Sequence, residues 1–426
     1  MMNISQRIVL LLFALSLLAG IATGAQIYYR LSYFFGMLFF GSWIWSIFSL
    51  RGLRVQRTAR ALRAQVGQIF EERFEIINEN RLFRLWVEVR NESTLPDAGG
   101  SQVLTLIGGR QRRIYWSQTL LTHRGVFPLG PTILASGDLF GLFPVKREIP
   151  AEETLLVYPM MFDIRTFSNP PGLLPGGEAL RRRTHQITPN ASGVRDYYPG
   201  DSLNRIHWAS SARRDKLMVK EFELDPLSEV WIFLDAYKEE QTSLAYEKQE
   251  FNVMEYWRKS IKVSLPPSTE EYSVSIAASL SRFFLRKGRS VGMVSVGQHN
   301  ILLPPDRGGR QLGKILQDLA LLRAEGNLPL QGLVEAQAKH VPRGSTVILI
   351  TPTILTDFVY LVEYLLRRGL RPIPILIDAS TFGGYRGTDL IAERIRAIGV
   401  PVRKVTNGAN LTAALEEYSV DKLFLK

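Results

Sequence analysis

Two uncharged apolar runs at the start of the chain constrain its fold more than any other feature. Ile8 to Tyr29 carries no charge over 22 residues, and Leu31 to Leu50 carries none over 20. At about 1.5 Å of rise per residue, either run as a helix spans a hydrocarbon core of roughly 30 Å. Only Arg30 and the polar end of the first run separate them, so residues 1–50 are expected to form a tight transmembrane hairpin. Arg7, the apolar run and the small residues Ala22 to Ala25 also have the outline of a cleavable signal, although the run is long for one.

Arg51, Arg54, Arg57, Arg60 and Arg63 follow the second run with no acid among them. Cationic flanks are retained on the cytoplasmic side. The expected topology is therefore two-pass in the cell (inner) membrane, with everything after residue 50 cytoplasmic. On a helix, steps of three drift by about 60°, so these arginines would wind around it. Each would gain about 1 kcal/mol from anionic lipid. Residues 51–69 thus read as a basic juxtamembrane segment whose arginines anchor the chain to membrane lipid.

The same arginines qualify the pI of 9.8. Residues 1–63 hold seven basic and no acidic side chains, which leaves only +5 of the net +12 for the rest of the chain. Phosphate backbones demand clustered, uncompensated cations, so no nucleic-acid partner is expected. The chain has no cysteine, which excludes disulfides, zinc-thiolate sites and cysteine nucleophiles. His123, His185, His207, His299 and His340 are scattered without metal-ligand spacing. No P-loop, no GxGxxG after a strand and no HExxH occurs.

Beyond the anchor, residues 70–160 show short period-two runs broken by turns: Leu82 to Val89, Val103 to Ile107, Arg113 to Gln118, Gly125 to Leu129, Thr132 to Ser136 and Thr154 to Val157. This spacing predicts a small all-β sandwich. Residues 161–227 open with a Pro/Gly-rich linker, and from 228 to 426 strands alternate with helices. That rhythm predicts an α/β domain with a mainly parallel sheet, beginning with a buried strand, Glu229 to Leu234, that ends at Asp235. Residues 238–268 fit the rhythm poorly and read as a polar insertion.

Between these regions lies "RDYYPGDSLNRIHWASSARRDK". Pro199-Gly200 suits the centre of a type II turn. Asp201 is placed to cap a helix over Ser202 to Ala212, and Lys216 to Leu224 alternates as a strand. Residues 176–225 hold nine basic and seven acidic side chains, a balance better suited to salt-bridge networks than to gripping phosphate. A joint between domains is the leading reading. A hydrolase acting on an anionic substrate, with Asp196, Asp201 and His207 among arginine clamps, is the catalytic alternative. Nucleic-acid binding is the third.

Ser192 to Asp225 resembles the signature of the bacterial DUF58 family, in which a Gly-x-R-[DE]-Y-x-x-GD turn precedes R-I-x-W-x-x-x-A-R and a K-E-[FY] strand. The candidate signature and interaction residues are Arg195, Asp196, Tyr197, Gly200, Asp201, Arg205, Trp208, Arg213, Lys220 and Glu221, with His207 at the open position between Ile206 and Trp208. "HRGVFPLGP" and "GDLFGLF" between His123 and Phe143, and Tyr272 to Met293, resemble further family segments. The resemblance implies a multidomain membrane protein whose C-terminal domain is von Willebrand factor A-like, that is, Rossmann-like. Family members are commonly encoded near MoxR-type AAA+ ATPases and transglutaminase-like membrane proteins, so the resemblance also implies a partner or adaptor for such an ATPase. The leading expectation for this chain is a non-enzymatic adaptor. Von Willebrand A domains bind Mg²⁺ through Asp-x-Ser-x-Ser. Here Asp235-Ala236-Tyr237-Lys238-Glu239 keeps only the aspartate, and Thr351-Pro352-Thr353 adds none. Asp235 is thus expected to be a degenerate metal position, with no metal and no cofactor.

Overall fold

The computed structural model describes residues 3–167, 191–198, 206–222, 229–245 and 264–416. The chain divides into two compact units. The first comprises Met1–Met160, Ala245–Pro266 and Leu316–Leu322, and the second takes the remainder.

The first unit opens with helices α1 (Ile4–Thr23) and α2 (Gln26–Ser49), both long and apolar enough to cross a membrane. Their exposed surface is apolar, including Leu11, Leu18, Met37 and Phe40, while the buried positions are small: Ser16 and Gly20 on α1, Ser32, Ser42 and Ser46 on α2. A soluble amphipathic helix has the opposite polarity, whereas small residues at the seam suit helices packed in lipid. The turn falls at Gly24 and Ala25, and Arg30 lies inside α2 instead of between the helices. The polar Thr23-Gly24-Ala25 break ends α1 earlier than an apolar-run boundary indicates.

A β-rich region follows at once. Strands β1 (Leu53–Ala59), β3 (Ile69–Asn78) and β6 (Arg112–Leu120) form one antiparallel sheet. Strands β4 (Arg84–Asn91), β5 (Gln102–Ile107), β8 (Thr132–Ser136) and β9 (Val145–Ile149) form another, ordered β5-β4-β8-β9. The third sheet joins β2 (Arg63–Gln65), β10 (Thr154–Tyr158) and β7 (Gly125–Pro128). Phe74 and Ile76 of β3 share one hydrophobic cluster with Val87, Val89, Ile107 and Leu134 of the second sheet.

This arrangement corrects the reading of residues 51–69, because β1 and β2 both lie in that stretch. On β1, Leu53, Val55, Arg57 and Ala59 face inward while Arg54, Gln56 and Thr58 are exposed. Arg57 is therefore a sheet residue and not a lipid anchor. Its Nε and Nη2 donate to both carboxylate oxygens of Glu72, at 2.6 and 3.0 Å, and Nη1 donates to Asn91 Oδ1. The Glu72 side chain is 1% exposed, and the Arg57 guanidinium lies 5.2 Å from the centre of the Phe74 ring. Arg60 pairs with Glu71 at the surface. Arg51, Arg54 and Arg63 are exposed. The first unit also buries Arg124, whose Nε and Nη2 donate to the carbonyls of Leu319 and Leu322.

In the second unit six strands form a mixed sheet: β13 (Val230–Leu234), β14 (Val291–Val296), β15 (Asn300–Asp306), β16 (Thr346–Thr351), β17 (Arg371–Ile377) and β18 (Arg403–Val405). Their order is β15-β14-β13-β16-β17-β18, parallel except for β15 at the edge. Numbered within the sheet this reads 3-2-1-4-5-6, the doubly wound order, which reverses between β13 and β16. The apolar residues of β13 bury fully because helices cover both faces. Trp231 and Phe233 point into the cluster containing Leu333, Phe358, Val362 and Ile395. These come from α6 (Leu330–Ala338), α7 (Asp357–Arg367) and α8 (Thr388–Ala397). The other helices are the signature's α3 (Trp208–Arg214), then α4 (Thr269–Arg286), α5 (Gly308–Leu321) and α9 (Leu411–Glu416).

Sequence periodicity does not reveal β15 or α6. Pro304 and Pro305 disguise β15, and the edge position, with no strand beyond, is where a sheet tolerates proline.

Candidate functional site

Open α/β sheets bind ligands outside the carboxyl ends of their strands, at the point where strand order reverses. Here that point lies between Asp235, just past β13, and Thr351, the last residue of β16. Asp235 is 3% exposed. Its Oδ2 accepts from Thr351 Oγ1 at 2.5 Å, and its Oδ1 accepts from the Tyr237 N–H at 3.0 Å.

A second carboxyl joins it. The 3₁₀ turn Lys238–Glu240 carries Glu240 back over the sheet end, where Thr353 Oγ1 donates to its Oε1 at 2.9 Å. Burial pushes Glu240 up to about 8, aided by the neighbouring Asp235 charge and opposed by Thr353. Burial also raises Asp235, against the bonds it accepts from Thr351 and Tyr237. Both carboxyls are thus raised, chiefly by burial, and the charge of Asp235 adds to the rise at Glu240.

One strand over, Asp378 sits in a contrasting environment. Burial alone would raise it, but Lys404 at 2.9 Å and the Ser380 hydroxyl and N–H hold it below the usual carboxylate range. The carboxyl end of the sheet thus carries one acid kept protonated, on the loop after β13, and one kept ionised, just past β17. Among the described residues, no three histidine or acidic side chains converge as cation ligands.

The loops around the pair are locked together. The Thr353 N–H donates to Thr351 Oγ1 and the Leu355 N–H to Thr353 Oγ1, at 3.0 and 3.2 Å. A Cβ on Gly384 would lie 2.9 Å from Thr242 Cγ2, and one on Gly387, at φ +155°, 3.1 Å from Ile354. Glycine at both positions lets the loop after β17 press against the loops after β13 and β16. Apolar side chains nevertheless remain in solvent on these loops: Leu244 (44% exposed), Leu355 (52%) and Tyr385 (84%).

The signature folds as a hairpin with a helix between its strands. β11 (Ala191–Asp196) pairs antiparallel with β12 (Met218–Phe222), setting Arg195 opposite Val219, with Lys220 opposite Val194 and Glu221 opposite Gly193. The helix is α3, not a run from Ser202 to Ala212, and its cap is His207. The His207 Nδ1 accepts from the Ser210 N–H at 3.2 Å and lies 2.7 Å from Ser210 Oγ. The His207 N–H donates to the Met218 carbonyl, so Ile206 and His207 extend the pairing onto β12 and are not helical, while Ser202 to Arg205 lie outside the described residues. Trp208 is 68% exposed and is not the apolar contact its type suggests, whereas Ile206 is buried. Asp196 and Arg213 are exposed and Tyr197 is half-buried. Gly200, Asp201 and Arg205 lie outside the described residues.

The profile described as "Protein of unknown function DUF58" matches residues 193–255. "Uncharacterized protein YeaD" of Bacillus subtilis (strain 168) is 23% identical over 332 residues, covering 74% of this chain and 74% of its own. Residues 193–255 thus carry the segment that defines the DUF58 family. Likeness to solved structures is slight. The CARDB domain of a Pyrococcus furiosus protein in complex with di-metal ions covers 25% of this chain and 91% of its own, at 12% identity and TM-score 0.18. A GH20 exo-β-N-acetylglucosaminidase from Vibrio harveyi covers 77% of this chain and 57% of its own, at 9% identity and TM-score 0.17. Superpositions this loose carry no argument about fold or chemistry.

The DUF58 match thus runs from the signature through β13 to the acid pair, so Asp235 and Glu240 belong to the family segment. The sequence points to Asp235 but hides Glu240, which lies in the stretch read as an insertion. The available signal is the short spacing from Asp235 to a second acid, but Glu239 and Glu240 offer it equally. Only the turn geometry selects Glu240, leaving Glu239 exposed and bonded to the Tyr237 hydroxyl.

In this chain His207→Ala is expected to destabilise the signature by about 1 kcal/mol, the usual cost of losing an N-cap, while His207→Asn retains most of it. Thermal unfolding of the full chain checks this, because a histidine acting as a base would be replaced by neither.

Proposed function

We propose that this chain is a membrane-anchored, non-enzymatic adaptor that engages a protein partner at the carboxyl end of its α/β sheet. The observation that carries this reading is the set of exposed Leu244, Leu355 and Tyr385 side chains on loops held together by close backbone contact. Rigid loops cost little entropy on binding, and aromatic and aliphatic anchors supply most interface energy. The polar groups beneath are bonded to one another, as Thr351 to Asp235 and Thr353 to Glu240, which suits support of a surface better than turnover.

The reading takes the α/β unit as von Willebrand factor A-like, for which the doubly wound strand order is support, and the β-rich region as a small sandwich. The two apolar helices serve as the anchor, with the arginines after α2 on the cytoplasmic side. The proposed partner is a MoxR-type AAA+ ATPase. Leu355→Ser combined with Tyr385→Ser is expected to change stability by no more than about 0.5 kcal/mol, as exposed substitutions do. Co-purification of the ATPase from native membranes should fall at least tenfold. Undiminished co-purification would remove the reading.

A further inference from the structure

A second site lies elsewhere in the α/β unit, on the C-terminal half of α4. There Asp163 and Arg165 face Arg282, Phe283, Arg286 and Lys287 across a cavity of about 190 Å³. The segment is pinned by the Phe162 N–H, which donates to Ser279 Oγ at 2.9 Å. Four cations and one carboxylate line the space, a local excess of three positive charges.

That carboxylate is placed to be displaced. Asp163 Oδ1 accepts from Arg282 Nη2 at 2.7 Å and lies 3.5 Å from Arg286 Nη1. Yet the Asp163 side chain is 80% exposed, while that of Arg282 is only 15% exposed. Among the described residues, a largely desolvated guanidinium is thus matched by one carboxylate that stands mostly in water. Lys287 Nζ sits 5.4 Å from the centre of the Phe283 ring, along the cavity wall. Basic residues in a last helical turn are commonly explained by the helix dipole. Arg286 and Lys287 fit that explanation, but Arg282 lies a full turn earlier and Arg165 is on another segment. Glu416 does not restore balance at the guanidinium of Arg165, because it accepts from the backbone N–H of that residue.

We infer that this cavity binds a phosphate-type anion, with Arg282 and Arg286 as the fork and Asp163 as the resident carboxylate the anion replaces. Guanidinium groups match phosphate oxygens bidentately, and the cavity is large enough for one or two phosphoryl groups. The source is either a soluble phosphate compound or the headgroup of an acidic phospholipid.

The test uses the full-length chain in neutral phosphatidylcholine nanodiscs, titrated with inorganic pyrophosphate and, separately, with vesicles containing phosphatidic acid. Saturable binding of at least one probe is expected, weakened tenfold or more by Arg286→Gln combined with Lys287→Gln. Asp163→Asn is expected to tighten it severalfold, an outcome that general electrostatic attraction to any exposed cation does not single out from other acid-to-amide changes. Asp357→Asn, at an exposed acid opening the helix that follows the carboxyl end of β16, the opposite end of the sheet from the cavity, is the matched control and should leave binding unchanged. Pyrophosphate binding identifies a soluble ligand, and binding to the vesicles alone identifies a headgroup. Absence of saturable binding with both probes, or an Asp163→Asn effect equal to that of the control, would overturn the assignment.

Discussion

Glu72→Ala is expected to destabilise the β-rich region by about 3–5 kcal/mol, the usual cost of removing one partner from a buried ion pair. The loss arises because Arg57, held inward between the ring of Phe74 and the Asn91 side chain, is left as a charge without its bidentate acceptor. Glu72→Gln should cost less, since one hydrogen bond to the guanidinium survives. Replacing both members by apolar residues, Arg57→Met with Glu72→Leu, should recover most of the loss, because neither charge then needs compensation. Denaturant unfolding of the full chain in detergent, followed by tryptophan fluorescence, measures all three. A Glu72→Ala cost below about 1 kcal/mol, the range of exposed pairs, would contradict the burial described for this pair.

Glu240→Gln should change how stability depends on pH. The folded chain keeps the Glu240 proton to about pH 8, whereas an unfolded glutamate releases it near 4.5. Between those values the native state binds the extra proton, so its contribution is intact below pH 4.5 and is lost as pH rises through about 8. The slope reaches at most about 1.4 kcal/mol per pH unit. Glutamine is neutral throughout and keeps an oxygen that accepts from Thr353. The variant should therefore match the parent near pH 4.5 and exceed it at pH 8. Melting temperatures across this range decide the matter, and parallel curves would mean that Glu240 is not protonated in the folded chain.

Much of the architecture is legible in the sequence because it follows from periodicity. The apolar runs mark α1 and α2, alternation marks β4 to β8 within a residue or two, and the α/β rhythm marks the sheet. Failures occur where a charged residue has an inward duty. Arg57 resembles its neighbours Arg54 and Arg60, and only pairing with β3 reveals that it shares a face with Leu53 and Val55. β3 itself is masked by Glu71-Glu72-Arg73, of which Glu72 is the buried member. The candidate site shows the same effect. Asp235 stands at the end of an apolar strand, where position alone marks it, but Glu240 is brought to it by a turn in a polar stretch without periodicity. Asp201 looks like a helix cap by type, whereas His207 serves as one because Ile206 first bridges to Val219.

The central claim is that the loops at the carboxyl end of the sheet form a protein-binding face. A photo-crosslinking amino acid at position 385, in the full-length chain in native membranes, tests it most directly. Trp116 on β6, 62% exposed, provides the control position. A face of this kind should yield one dominant adduct from position 385, containing the AAA+ ATPase, and none of that adduct from position 116. No adduct from 385, or the same adducts from both positions, would contradict the claim.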